Sequence, residues 1–245
     1  MLPKIWIIDS YSLMIFIGVI ACFILFWLFG KKHNISEKFT YDIFLLACVA
    51  IGLGLGFAVL FQLLFDAIKG VIRGSAMTFY GGLVGGIATF LIGYFLVLKK
   101  RYPEATFSGD VLPIAPACIT MAHAFGRIGC FLAGCCYGKE TSSWLGVKFP
   151  GMEHSVYPTQ LFEALFLFIL TAVLFYVAIK KRSVYNLSIY LFSYGIFRFL
   201  LEFLRGDDRG AFLLSLSPSQ WFSIVAIFAS IILFIIFKKK NGYNA

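Results

Sequence analysis

Charge is scarce in this chain. Charged residues make up 13% of its 245 residues, where a soluble domain usually carries about a quarter. That shortage excludes an ordinary water-soluble fold. Polar stretches long enough to form a soluble appendage are missing too. Histidine is rare, at three residues, and only His123 and His154 could add ligands to a metal site at Cys130, Cys135 and Cys136. No small-residue exit site of the A-x-A kind follows the first apolar run, so no cleavable signal peptide is expected. No internal repeat is evident.

Apolar sequence fills the space. Hydrophobic residues are 60% and aromatic residues 18% of the chain, and the mean hydropathy is +0.89. Runs of about 18 or more apolar residues recur, as transmembrane helices require. Seven spans are predicted, at 12–29, 43–65, 77–98, 111–136, 158–179, 186–204 and 218–237. The expected fold is all-α: a polytopic membrane protein with short loops and a single integral membrane domain over 1–245. Six cysteines (22, 48, 118, 130, 135 and 136) lie in or beside apolar runs, which points to buried reduced thiols and away from a secreted disulfide framework.

The net charge of +9 does not indicate nucleic acid, because the basic residues sit in short clusters between spans. Those clusters orient the chain. Lys31, Lys32 and Lys38, Lys99 to Arg101, Lys180 to Arg182 and Lys238 to Lys240 fall on one side. Lys4, Lys69, Arg73, Lys139, Lys148, Arg205 and Arg209 fall on the other. The positive-inside rule places the richer side, and the carboxyl terminus, in the cytoplasm and the amino terminus outside.

An intramembrane ionisable residue is costly and is a functional candidate by default. Arg127 and His123 share a helix face at i, i+4, as do Arg198, Glu202 and Arg205 at i, i+4 and i+7. With the orientation above, these residues gather in the outer leaflet with Tyr80, Gln160, Glu163 and Gln220. Arg198 lies about 10 Å inward of Arg205, and Arg127 about 16 Å below Gly138 if the fourth span stays helical, at 1.5 Å per residue. Such a cluster suits a lipid phosphate, which arginine holds bidentately. Simpler readings stand beside it: Arg198 with Glu202 as a structural pair, His123 as a packing residue, and the two glutamines as interhelical hydrogen bonds. Glycines of the second and third spans read as close helix packing, or as backbone approach to a ligand near Tyr80, Gly81 and Gly82. Cys130, Cys135 and Cys136 have no recognised zinc spacing; no metal and no cofactor are expected.

Five ordered stretches carry a resemblance: FYGGLVGG at 79–86, HAFGRIGCFLAGCCYG at 123–138, YPTQLFEAL at 157–165, YGIFRFLLEFLRGDDRG at 194–210 and LSPSQWFSI at 216–224. Through them the chain resembles the prolipoprotein diacylglyceryl transferase family. The resemblance implies seven spans in a bacterial cytoplasmic membrane, with the site toward the extracytoplasmic leaflet. It implies one reaction: transfer of diacylglyceryl from phosphatidylglycerol to the lipobox cysteine of a prolipoprotein signal peptide, releasing glycerol phosphate. Arg127 then corresponds to the essential arginine of the signature, Arg198 to the arginine of the sixth span, and Glu202 to its acidic partner. Gly126, Gly129 and Gly138 match signature glycines. The chain departs from the family in having Tyr80 and Tyr157 where histidine is usual, Cys130 and Ala133 where asparagine is usual, and Cys135 for glutamate. The catalytic expectation is Arg127, Arg198, Glu202, Tyr80 and His123. The substrate-binding expectation is Arg205, Gly81, Gly82, Gly126, Gly129, Gly138, Tyr157, Gln160 and Glu163. The general base is open among Tyr80, His123, Glu163 and Glu202. Two other functions fit the same residues: a phospholipid-dependent transferase with a different acceptor, and a non-catalytic phospholipid-binding or transport protein.

Overall fold

The computed structural model describes residues 4–5, 8–70, 79–206 and 216–242. Seven of its helices are long and apolar enough to cross a membrane. They are α1 (Ser10–Lys32), α2 (Glu37–Lys69), α3 (Phe79–Gly93), α4 (Ala115–Ala133), α5 (Thr159–Lys181), α6 (Asn186–Leu201) and α7 (Pro218–Gly242). A wider π-turn at Tyr94–Leu98 and a last turn at Lys99–Arg101 extend α3, and a tight turn at Glu202–Leu204 ends α6. Arg73, Arg209 and the first two residues of the expected third span lie outside the described residues.

The contacts group into two units, Gly30–Thr106 and the remainder. In the first, α2 and α3 pack antiparallel through small residues. A Cβ on Gly81 would lie 2.6 Å from Phe61 Cβ, and one on Gly85 2.5 Å from Phe57 Cβ. With so little side chain between them the backbones approach closely, which gives dispersion contact that lipid does not already supply. Asp42 joins this unit's far end, 2.8 Å from Arg101 Nη1 and accepting a hydrogen bond from Tyr102 at 2.7 Å.

The other unit holds α4 to α7 and α1 up to Phe29. Each neighbouring pair is antiparallel. Cys22 Sγ lies 2.9 Å from the Cys118 carbonyl it donates to, and Gly18 abuts Phe125 further along the same contact. Thr171 donates to Thr120 at 2.7 Å between α5 and α4. On the other side of α6, Gly195 lies against Ser223 and Ile227 of α7, while Tyr185 rests on Phe234 and Phe237. The start of α1, the end of α4, the start of α5, the end of α6 and the start of α7 therefore meet at one end of the bundle. Lys180, Lys181, Lys238 and Lys239 lie at the opposite end.

Two expectations are corrected. The fourth span is shorter than 111–136: Pro116 sits at its first positions, and Gly134 closes it with φ +72°. The Cys135 N–H then bonds back to the Cys130 carbonyl at 3.0 Å, the hydrogen-bond reversal that glycine permits at a helix end. Arg127 is consequently about 9 Å from the helix end, well short of the depth an unbroken helix implies. The connection from Gly134 to Pro158 is also long, not short. It folds on itself through single bridges between Glu140 and Val156 and between Val147 and Val156, and reaches the end of α6 through Gly138 and Arg205.

Candidate active site

Glu163 is the centre of the buried polar cluster. Its side chain, on the second turn of α5, is fully buried. Three groups from two other helices converge on it: Arg127 Nε at 2.9 Å from Oε2, His123 Nε2 at 3.5 Å from Oε1, and the Tyr194 hydroxyl, which donates to Oε1 at 2.8 Å. The His123 ring also meets Tyr194 edge-on, 5.4 Å between centroids. The i, i+4 spacing of His123 and Arg127 presents both to one neighbour, and that neighbour is α5.

Arg198 forms the second pair. Its Nη1 lies 2.6 Å from Glu202 Oε2, one turn on, and its Nη2 donates to Ser219 Oγ on α7 at 3.0 Å. Ser217 donates to the other Glu202 oxygen at 2.7 Å, and Gln220 Oε1 accepts from the Ser217 N–H. The two pairs share one region: the charges of Arg127 and Arg198 both act on Glu163 and His123. The Arg127–Glu163 contact is a close charge contact through Nε, without hydrogen-bond alignment. The Arg127 side chain keeps 17% exposure. A guanidinium carries its donors in a planar fork, the geometry that a phosphate or carboxylate accepts.

The turn after α4 brings three thiols together. Cys130, Cys135 and Cys136 have all Sγ atoms within 4.8 Å of one another. Cys136 takes φ +65°, a conformation that costs a non-glycine residue about 1–2 kcal/mol. The start of α5 holds this turn: Thr159 donates to the Cys136 carbonyl and Gln160 to that of Cys135. A hydrogen bond from Cys130 lowers the Cys136 thiol to about 5, against burial, with help from Cys135 and the Arg205 guanidinium. Burial raises the Cys135 thiol, and the neighbouring Cys136 adds to it.

Buried ion pairs thus lie in one unit with a cluster of three thiols, and the sequence matches one family along nearly its whole length. The model of the family described as prolipoprotein diacylglyceryl transferase matches residues 2–236. The chain belongs to the prolipoprotein diacylglyceryl transferase family. Among its relatives, a phosphatidylglycerol–prolipoprotein diacylglyceryl transferase of Clostridium tetani is 35% identical, covering 93% of this chain and 92% of that protein. A second such transferase, from Clostridium perfringens, is 34% identical with 96% and 93% covered. One from Finegoldia magna is 32% identical with 94% and 91% covered.

Within this family member the expected site residues divide. Arg127, His123 and Glu163 come together, and Arg198 and Glu202 join them. Gly129 faces α1, where a Cβ would meet the Tyr11 ring at 2.9 Å, and Gly126 lies beside Ile15, where a Cβ would make an ordinary contact at 3.7 Å. Gly138 lies under the Leu204 carbonyl, 2.6 Å from where its Cβ would be, and its backbone pairs with Tyr157 and Arg205. Gln160 supports the cysteine turn. Arg205 is buried and reaches Cys136. Gly81 and Gly82 face α2 in the unit of Gly30–Thr106, and Tyr80 lies in the first turn of α3 there. Sequence reasoning missed Tyr194, Thr159, Ser217 and Ser219. Tyr194 was within reach, since it precedes Arg198 by one turn on the same face.

Proposed function

We propose that this chain transfers the diacylglyceryl group of phosphatidylglycerol to the cysteine thiol of a lipobox-bearing prolipoprotein, at the extracytoplasmic side of a bacterial cytoplasmic membrane. The observation that carries the proposal is the pairing of the partly exposed Arg127 with the fully buried Glu163 at 2.9 Å, beside the Arg198–Glu202 pair. The phosphate of phosphatidylglycerol binds Arg127, with Arg198 adding positive potential from α6. As the glyceryl C–O bond breaks, negative charge builds on the departing glycerol phosphate. Donors already in place stabilise it without reorganisation in a site of low dielectric.

Glu163 orients Arg127 and Glu202 orients Arg198, so each carboxylate serves as an anchor. Removing either would leave an arginine unpaired in a poorly solvated place, which is costly. The orientation is the one the basic clusters favour: the amino terminus outside, the carboxyl terminus in the cytoplasm. In the bundle, Lys180, Lys181, Lys238 and Lys239 lie at the end away from Arg127, which supports that assignment. On the outer side, Tyr137, Lys139, Glu140, His154 and Gly206 help to line a cavity of about 480 Å³. It adjoins Gly138 and gives the acceptor peptide a place to lie.

The test is mass spectrometry of a lipobox peptide after incubation with the purified protein and phosphatidylglycerol. A diacylglyceryl mass added at the cysteine, absent with Arg127→Ala, is the expected result. Bound phospholipid without released glycerol phosphate would overturn the transferase reading in favour of lipid binding. Glycerol phosphate released with no peptide modified would point to a different acceptor.

A further inference from the structure

We infer that Cys130, Cys135 and Cys136 bind a zinc ion through three sulfurs, leaving its fourth position for the thiolate of the acceptor cysteine. The inference deepens the transferase reading of the same site and rests on it. Its basis is the placement of the three Sγ atoms within 4.8 Å of one another. A tetrahedral zinc with Zn–S of about 2.3 Å needs sulfurs about 3.8 Å apart, so rotation of the side chains suffices. Spacing in the chain gives no hint of this. The sulfurs meet because the helix ends at Gly134 and Cys136 turns into the left-handed region.

The turn is held from outside as well. Thr159 and Gln160 of α5 fix the carbonyls of Cys136 and Cys135. No histidine or carboxylate joins the three thiols among the described residues. Three protein ligands with an exchangeable fourth is the pattern of a catalytic zinc, whereas a structural zinc is closed by four. Cys135 is exposed, so a second substrate has access. Three thiolates on Zn²⁺ leave one net negative charge, and Arg205 at Cys136 with Arg127 near Cys130 and Cys136 offsets it.

The chemistry answers the need for a base. Zinc coordination expels the proton of the acceptor thiol to solvent, as metal binding does to a thiol outright. The thiolate sulfur then gives its electron pair to the glyceryl carbon next to the phosphate. The S–C bond forms as the C–O bond breaks, and glycerol phosphate leaves with that bond's electrons beside Arg127. Nothing is oxidised or reduced. The product thioether is neutral and a weaker ligand, so it leaves the metal and the cycle repeats.

The experiment uses the whole protein, purified anaerobically in phosphatidylglycerol-containing micelles. It binds one equivalent of Zn²⁺, and Cys130→Ser, Cys135→Ser and Cys136→Ser each lose it, while Cys48→Ser keeps it. With Co²⁺ in place of zinc, the visible spectrum changes on adding a lipobox peptide but not its cysteine-to-serine counterpart. Chelation reduces peptide lipidation to background, and Zn²⁺ restores it. If the serine variants misfold, alkylation mapping of the wild type in alkali, where all three thiols react, replaces them: Zn²⁺ protects Cys130, Cys135 and Cys136 together and leaves Cys48 labelling unchanged. Full lipidation by the metal-free protein, or zinc binding indifferent to the three cysteines, overturns the zinc inference and leaves the transferase standing. Zinc bound with the cobalt signature but no lipidation in any state overturns the transferase reading instead.

Discussion

At the scale of single residues, Glu163 organises the buried chemistry by pinning Arg127, His123 and Tyr194 at once. Glu163→Gln keeps the shape and removes the charge, so Arg127 loses its counter-ion. We expect lipidation in the peptide assay to fall at least about 100-fold, in line with the loss of a preorganised charge donor. Glu163→Ala should go further and destabilise the fold by about 3–5 kcal/mol, the usual cost of orphaning one member of a buried pair; thermal unfolding in detergent checks it. Arg127→Lys keeps the charge but gives up the planar fork. Its lipidation rate should fall much as that of Arg127→Ala does; near-normal rates would mean that positive charge alone suffices. The thiols differ as sharply. Cys136, held near 5 by its hydrogen bonds from Cys130, Cys135 and Arg205, is a thiolate at neutral pH, whereas Cys135 is raised and stays protonated. In metal-free protein, iodoacetamide should label Cys136 at neutral pH and lose it as the pH falls through that value. Cys135 should label only in alkali, though it is the more exposed of the two.

Among the elements, the end of α4 decides most. A helix running on through 136 would spread Cys130, Cys135 and Cys136 around its surface. The break at Gly134 instead folds the chain back, with Cys135 bonding to the carbonyl of Cys130. Gly134→Val forces a branched side chain into φ +72°. It should cost about 1 kcal/mol or more in stability and separate the sulfurs, seen as loss of the shared zinc equivalent. The contact of α1 with α4 is equally demanding. Gly129→Leu would drive a side chain into Tyr11, already 2.9 Å from a bare Cβ, so the variant should express poorly or unfold at a lower temperature. That outcome separates a packing glycine from one that touches lipid, since a ligand contact would lower activity without lowering stability.

For the whole molecule, antiparallel packing of α1 and α4 to α7 collects five helix ends at the site and the lysines of α5 and α7 at the other end. If the site faces outward, a cysteine placed at the exposed Trp144 position reacts with a membrane-impermeant thiol reagent in intact cells, and one at Lys181 reacts only after permeabilisation. The reverse pattern would invert the proposed orientation. Amino-acid sequence alone determined the membrane class, the seven spans and the family, because hydrophobic length is a property of consecutive residues and the motifs occur in order along one chain. It also singled out Arg127, Arg198, Glu163 and Glu202, since any charge in an apolar run is conspicuous. What each residue touches was decided by tertiary structure. The pairing of Arg127 with Glu163, the packing of Gly129 on Tyr11 and the meeting of three cysteines all depend on which helix faces lie together and where α4 stops. Those distances are set between segments remote in sequence, and no local spacing encodes them.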